Sequence, residues 1–96
     1  MLTEIPIDAD LCELVPAFVN ARMKDLADLN RHLQSKDYVA IQKISHTIKG
    51  IARPYGFPTL EGHFKKLEIL AKAQEFDQCA DCIDQIQEYF KSYSQV

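Results

Sequence analysis

Residues 37–53, DYVAIQKISHTIKGIAR, set Ile41, Ile44, Ile48 and Ile51 at three- and four-residue steps behind a short polar segment. At about 100° per residue these four side chains fall on one side of an α-helix, so the stretch reads as an amphipathic helix with an apolar stripe. Ser35 and Asp37 break the chain before it, and Asp37 is a plausible N-cap because its carboxylate accepts a backbone N–H left unpaired in the first turn. Pro54 lacks an N–H and must end or kink the helix. Upstream, Pro16 to Gln34 reads as a helix with Val19, Met23, Leu26, Leu29 and Leu33 inward and Arg22, Lys24, Asp25, Asp28 and Arg31 largely turned to water. A short helix around Leu11, Leu14 and Val15, capped by Asp8 or Asp10, precedes it and is expected to serve as a lid. Downstream, Pro54 to Pro58 reads as a turn and Thr59 as a cap, followed by the stripe Leu60, Phe64, Leu67, Leu70 and Ala71, which Gln74 and Glu75 close. From Asp77 a last helix turns Phe76, Cys79, Ile83, Ile86 and Phe90 inward. No stretch has the alternation of a strand. The expectation is all-α: an antiparallel up-and-down four-helix bundle with a short extra N-terminal helix.

A chain of 96 residues supports one core, so residues 1–96 are expected to form a single domain. Its 11 basic and 14 acidic residues leave a formal charge of -3, which disfavours a general nucleic-acid binder, a role that needs excess cations against phosphate. No apolar run approaches the roughly 20 residues that cross a bilayer, and Glu4, Asp8 and Asp10 replace the basic start of a signal peptide. A soluble, cytoplasmic protein is expected, with no membrane partner. Cys12, Cys79 and Cys82 are too few, and odd in number, for a disulfide framework. Cys79 and Cys82 have the C-x-x-C spacing of redox and zinc motifs, but they lie within an amphipathic helix where Cys79 extends the core stripe. Core packing is the favoured reading, and no metal site is expected.

The anomaly lies opposite the isoleucine stripe. Helical projection turns His46 to solvent and puts Gln42, Lys43, Lys49, Gly50 and Arg53 on its face, an exposed basic strip. A glycine inside a helix costs roughly 1 kcal/mol against alanine, and at an exposed position no packing need explains Gly50, so something approaches the backbone beside His46. An exposed imidazole is a nucleophile, neutral in useful part at physiological pH. Lys49, one turn on, is placed to steady a negative group carried by that ring. On the helix expected to follow Thr59, Glu68 lies at the edge of the apolar stripe, on the same side as Glu61, Lys65 and Lys72. If its neighbour is the His46 helix, Glu68 accepts the Nδ1–H of His46 and leaves Nε2 as the nucleophile; pairing with Lys65 or Lys72 at helical spacing is the alternative. Lys65 is either a solvated residue or an extension of the basic surface. The ordinary reading of an exposed histidine is a solvated residue with no chemistry.

The stretch HTIKGIARPYGFPTLEGHFKKLE, His46 to Glu68, resembles the signature of histidine phosphotransfer (HPt) domains. That signature is His-x-x-Lys-Gly, a Gly ten residues after the His, a Leu four further on and a closing Leu-Glu, held here by His46, Lys49, Gly50, Gly56, Leu60, Leu67 and Glu68. The turn Tyr55-Gly56-Phe57 is similar to that of many bacterial members, and Gly56-Phe57 also occurs in the phosphotransfer domains of chemotaxis kinases. The upstream pattern Leu14, Phe18, Leu26, Leu29, Leu33, Asp37 and Ile44 extends the resemblance to roughly residues 8 to 90. The sequence departs from the family at Ile51, where a small residue is common, and at Arg53-Pro54, which shortens the helix; Ile51 lies in the apolar stripe and is expected to be buried.

The resemblance implies that His46 is phosphorylated on Nε2, that Lys49 helps hold the phosphoryl group, that Gly50 makes room for a docking receiver domain and that Glu68 orients the imidazole. It implies a carrier in a two-component multistep phosphorelay, moving a phosphoryl group between a sensor or hybrid histidine kinase, or its receiver domain, and the Asp of a response regulator. With no nucleotide-binding loop the chain is not expected to be a kinase, and it needs no cofactor of its own, Mg²⁺ being supplied by the partner receiver. Gln42, Lys43, Gly50, Arg53 and Lys65 are the expected partner-binding residues, the cations suiting a receiver's acidic pocket. A free-standing monomer is expected. The alternative functions are a receiver-binding module that works by occupancy without transfer, and a redox or metal protein using Cys79 and Cys82.

Overall fold

The computed structural model describes residues 3–94. Five helices follow one another: α1 (Ala9–Cys12), α2 (Val15–Gln34), α3 (Tyr38–Ala52), α4 (Pro58–Lys72) and α5 (Phe76–Ser94), with no strand among the described residues. Each of the four long helices packs on its chain neighbour, most extensively α3 on α4, and α5 closes the ring against α2. This is the up-and-down bundle expected from short connections. The bundle measures 39 × 24 × 17 Å.

The helix limits have local causes. Asp8 caps α1 by accepting the Asp10 N–H at 3.0 Å, and Asp37 caps α3 by accepting the Ala40 N–H at 3.1 Å. Two tight reversals use left-handed backbone at non-glycine residues, Lys36 (φ 56°) after α2 and Gln74 (φ 57°) after α4. Between α3 and α4, Gly56 takes φ 93°, and its backbone lies so close to the chain's beginning that an added Cβ would sit 2.6 Å from the Thr3 Cβ and 2.8 Å from the Ile7 Cγ2. Only glycine fits there.

The core is the inward face of all four long helices, centred on Leu29, Ile41, Ile48, Leu60, Phe64, Leu67, Ile83 and Ile86. Cys79 and Cys82 are both buried in it, and burial pushes both thiols above their ordinary range. A buried thiol held protonated is a poor nucleophile and metal ligand, which agrees with the packing role.

Several expectations need correction. Met23 is 41% exposed, whereas Arg22 and Asp25, expected in water, are partly buried. The stripe of α2 is rotated toward Phe18, which stacks on Tyr55 at 4.4 Å and on Phe57 at 5.7 Å; the Arg22 guanidinium covers the Phe18 ring at 5.0 Å and pairs with Asp25 at 2.8 Å. Ile44, Ile51 and Leu70 are only half-buried, at the edges of their stripes. Thr59 is not the cap of α4: the helix begins at Pro58, and the Thr59 N–H finds its acceptor in Glu4 Oε1 at 3.0 Å. The lid is also misplaced. Helix α1 has no buried residue, and the segment that covers the bundle end is the one before it, where the Glu4 N–H donates to the Gly56 carbonyl at 2.7 Å and Ile7 packs on the core.

Candidate functional site

The site forms where α3 and α4 run antiparallel, so that residue 46 meets residue 68 and residue 53 meets residue 61. Opposite the buried Ile41 and Ile48, the imidazole of His46 stands in solvent, its side chain 71% exposed. Its Nδ1 lies 2.9 Å from Glu68 Oε2, and the Lys49 ammonium donates to the other oxygen, Oε1, at 2.5 Å. His46, Lys49 and Glu68 are therefore brought together, and the alternative pairing of Glu68 with Lys65 or Lys72 is not what the structure has. The Lys49 ammonium, with the His46 ring second, holds the Glu68 carboxyl below its ordinary range against the opposing effect of burial.

This fixes the tautomer. An ionised carboxylate only accepts hydrogen bonds, so the proton of a neutral His46 ring must sit on Nδ1, and Nε2 is left with an open lone pair facing water. The arrangement is that of an oriented nucleophile. Ser45, next to His46, is fully buried, and its hydroxyl has no partner among the described groups.

The remaining strip residues divide into two kinds. Lys43 and Lys65 are exposed and make no ion pair with a described residue, and Gln42 is half-buried beside them. Arg53 is not a free cation, because its guanidinium is held by Glu61 at 3.1 Å. Gly50 is exposed, and a Cβ added there meets nothing within 4 Å, so no internal contact requires glycine. The Lys49 ammonium is paired with the Glu68 carboxylate.

Sequence reasoning missed the exposed apolar residues near the site, Val39 and Ile69. Projection could have found Val39, seven residues before His46 and hence on its face. It also missed Gly62, a second helical glycine whose added Cβ would meet nothing within 4 Å. Elsewhere, burial, aided by Lys66 and opposed by Glu4, holds the His63 imidazole below its ordinary range, and its ring lies edge-on to Tyr89. Among the described residues no group of three or more His, Cys, Asp or Glu is placed to hold a metal ion, and no helix is long and apolar enough to cross a membrane.

A protein-family model described as Hpt domain matches residues 13–95. No curated protein and no solved structure matches the chain. The match takes in every residue of the α3–α4 site and all four long helices. The chain thus belongs to the Hpt domain family, helical-bundle phosphocarriers that serve histidine phosphotransfer in phosphorelay signalling.

Proposed function

We propose that His46 carries the phosphoryl group, receiving it from the aspartyl phosphate of a receiver domain or from a sensor or hybrid kinase, and delivering it to the Asp of a response regulator. The observation that carries this reading is the Nδ1–H of His46 held by the Glu68 carboxylate, whose other oxygen accepts from the Lys49 ammonium. In the forward step the Nε2 lone pair attacks phosphorus, the P–N bond forms, and the P–O bond to the aspartyl carboxylate breaks with its electron pair leaving on oxygen. The proton stays on Nδ1. The ring becomes cationic, and Glu68 stabilises that charge as it develops. Delivery to the next Asp reverses each change. Lys49 then has two anions within reach, Glu68 and the phosphoryl group, and a shift between them would steady the phosphorylated ring. Mg²⁺ belongs in this reading to the receiver's acidic pocket, where it neutralises the phosphoryl oxygens.

Incubation with a panel of labelled, phosphorylated receiver domains and hybrid kinases tests the reading beside a His46→Gln control. Acid-labile, base-stable label that requires His46 is expected. Receiver binding that persists without label, and is indifferent to His46→Gln, would establish the occupancy module instead.

A further inference from the structure

On the side of the bundle away from His46, α2 and α5 meet in the seam that closes the ring of helices. A groove of about 470 Å³ lies along it, lined by Met23, Leu26 and Ala27 of α2 and by Gln87 and Phe90 of α5. Leu26 and Phe90 are buried, but Met23 keeps 41% of its surface in water. A flexible thioether at the lip of an open groove suits a surface that repacks against another.

The two rims of this groove carry opposite charge. On α5, Asp77, Asp81, Asp84 and Glu88 recur at steps of four, three and four residues, so they share one helical face, and all four are exposed. Helical phase puts that face next to Gln87 and Lys91, on the solvent side of the groove. The ion pair of Glu88 with Lys91, at 3.5 Å, is long and exposed and contributes little. On α2, Lys24 and Arg31 lie seven residues apart, hence on one face, just outside Met23 and Ala27. Lys24 makes no ion pair with a described residue, and Arg31 holds Asp28 at 3.1 Å in a pair that is itself exposed.

A foreign acidic segment laid in the groove would meet the carboxylates of α5, and a basic one the cations of α2. A second copy of the chain avoids both conflicts. A twofold axis running along the helices lays α2 of one copy on α5 of the other, cationic rim on anionic rim and groove on groove. Since α2 and α5 run antiparallel and Ala27 and Gln87 line the same stretch, Arg31 of one copy comes level with Asp84 of the other, and Lys24 comes within about one turn of Glu88.

We infer that the α2–α5 seam is an isologous interface for a second copy of this chain, with Lys24 and Arg31 of each copy against Asp84 and Glu88 of the other and Met23 withdrawn from water between them. The monomer expected from the sequence gives way to a pair. The His46 site lies on the opposite side of each bundle, so the pair turns two reactive rings outward. The inference stands apart from the phosphotransfer reading, because neither ring needs the other copy.

Sedimentation equilibrium of the full chain over a range of concentrations tests it, with two charge variants. One carries Lys24→Glu and Arg31→Glu, the other Asp84→Lys and Glu88→Lys; all four positions are exposed, and circular dichroism checks that the fold is kept. Wild type is expected to show a concentration-dependent dimer. Each variant alone sets like charge against like charge and is expected to weaken association about tenfold or more. An equimolar mixture of the two variants restores both contacts, acidic α2 on basic α5 and acidic α5 on basic α2, and is expected to dimerise as wild type does. Met23→Gln, which removes apolar contact without adding charge, is expected to weaken the wild-type dimer, and to weaken the mixture when both variants carry it. A wild type that stays monomeric up to about 1 mM overturns the inference. So do variants that associate alone as well as wild type, or a mixture that stays monomeric. A mixture whose association ignores Met23→Gln is held by net charge alone and overturns it likewise.

Discussion

Lys49 and Glu68 do for His46 what neither does alone. The carboxylate orients the ring while ionised, and the ammonium extends that ionised range to lower pH, so the pair holds one tautomer over a wider range. A pH dependence follows from the sign of the shift. Glu68 has a folded-state pKa below its ordinary value of 4.5, so its stabilising contribution is fully present above that value and is lost as pH falls through the folded pKa. Glu68→Gln should therefore flatten the acid limb of the stability curve below about pH 4.5, by about 1 kcal/mol or less for a pair this near the surface. It should also slow phosphoramidate labelling of His46 about tenfold, the loss of one charge-assisted hydrogen bond to the cationic ring. Urea titrations from pH 3 to 7 and labelling rates check the two halves, and an acid limb that survives in the variant would assign it to other carboxylates. At this scale the exposure of His46 was legible from helical phase alone, whereas phase left Glu68 open between His46 and the lysines on its own helix. The bond between Lys49 and Glu68 was not legible either, because phase puts a side chain on a face without saying which of several cations its partner will choose.

The three glycines divide by the element each serves. Gly56 sits in the α3–α4 turn at φ 93°, with Thr3 and Ile7 against its Cα, and conformation and contact both forbid a side chain. Gly50 sits inside α3 with open space around it, so the helix would be better off with alanine. Alanine substitution should separate them: Gly56→Ala costs about 2 kcal/mol or more, and Gly50→Ala gains about 1 kcal/mol. Denaturant midpoints measure both, and equal losses at the two positions would show that Gly50 has an internal role after all. The α3 element was the most legible in the chain, since its stripe, its Asp37 cap and its Pro54 stop are all local signals. The start of α4 was less so, because its first-turn acceptor comes from Glu4 and leaves no mark in the neighbouring sequence. The phase of α2 was misjudged at Met23 and Arg22 for the same kind of reason: an aromatic cluster assembled from Phe18, Tyr55 and Phe57 rotates the buried stripe.

At the scale of the molecule, the bundle follows from four amphipathic helices and short connections, which leave antiparallel neighbours as the only economical packing. What those rules do not supply is closure at the end where α3 turns into α4. There the beginning of the chain acts as a strap: Glu4 accepts from the Thr59 N–H, 55 residues away, and from the Tyr89 hydroxyl, 85 residues away, while its own N–H binds the Gly56 carbonyl. One residue thus ties the turn, through its N–H, to the first turn of α4 and the C-terminal half of α5, through its carboxylate. It also acts as an N-cap supplied from outside the helix, offsetting the positive end of the α4 dipole. Glu4→Ala removes both acceptor oxygens and should lower stability by about 1–2 kcal/mol, a fall in Tm of roughly 4–15 °C in a domain of this size. The loss should be local in character. Amide exchange should speed up in the first turn of α4 and around Gly56, while the His46–Glu68 region keeps its protection, because α3 and α4 form the most extensively packed helix pair and do not need the strap to find each other. If Glu4→Ala instead melts like wild type, with α4 exchange unchanged, the strap only rests on the bundle. If exchange rises equally at both ends, the strap is part of the global fold, and phosphotransfer would fall with it.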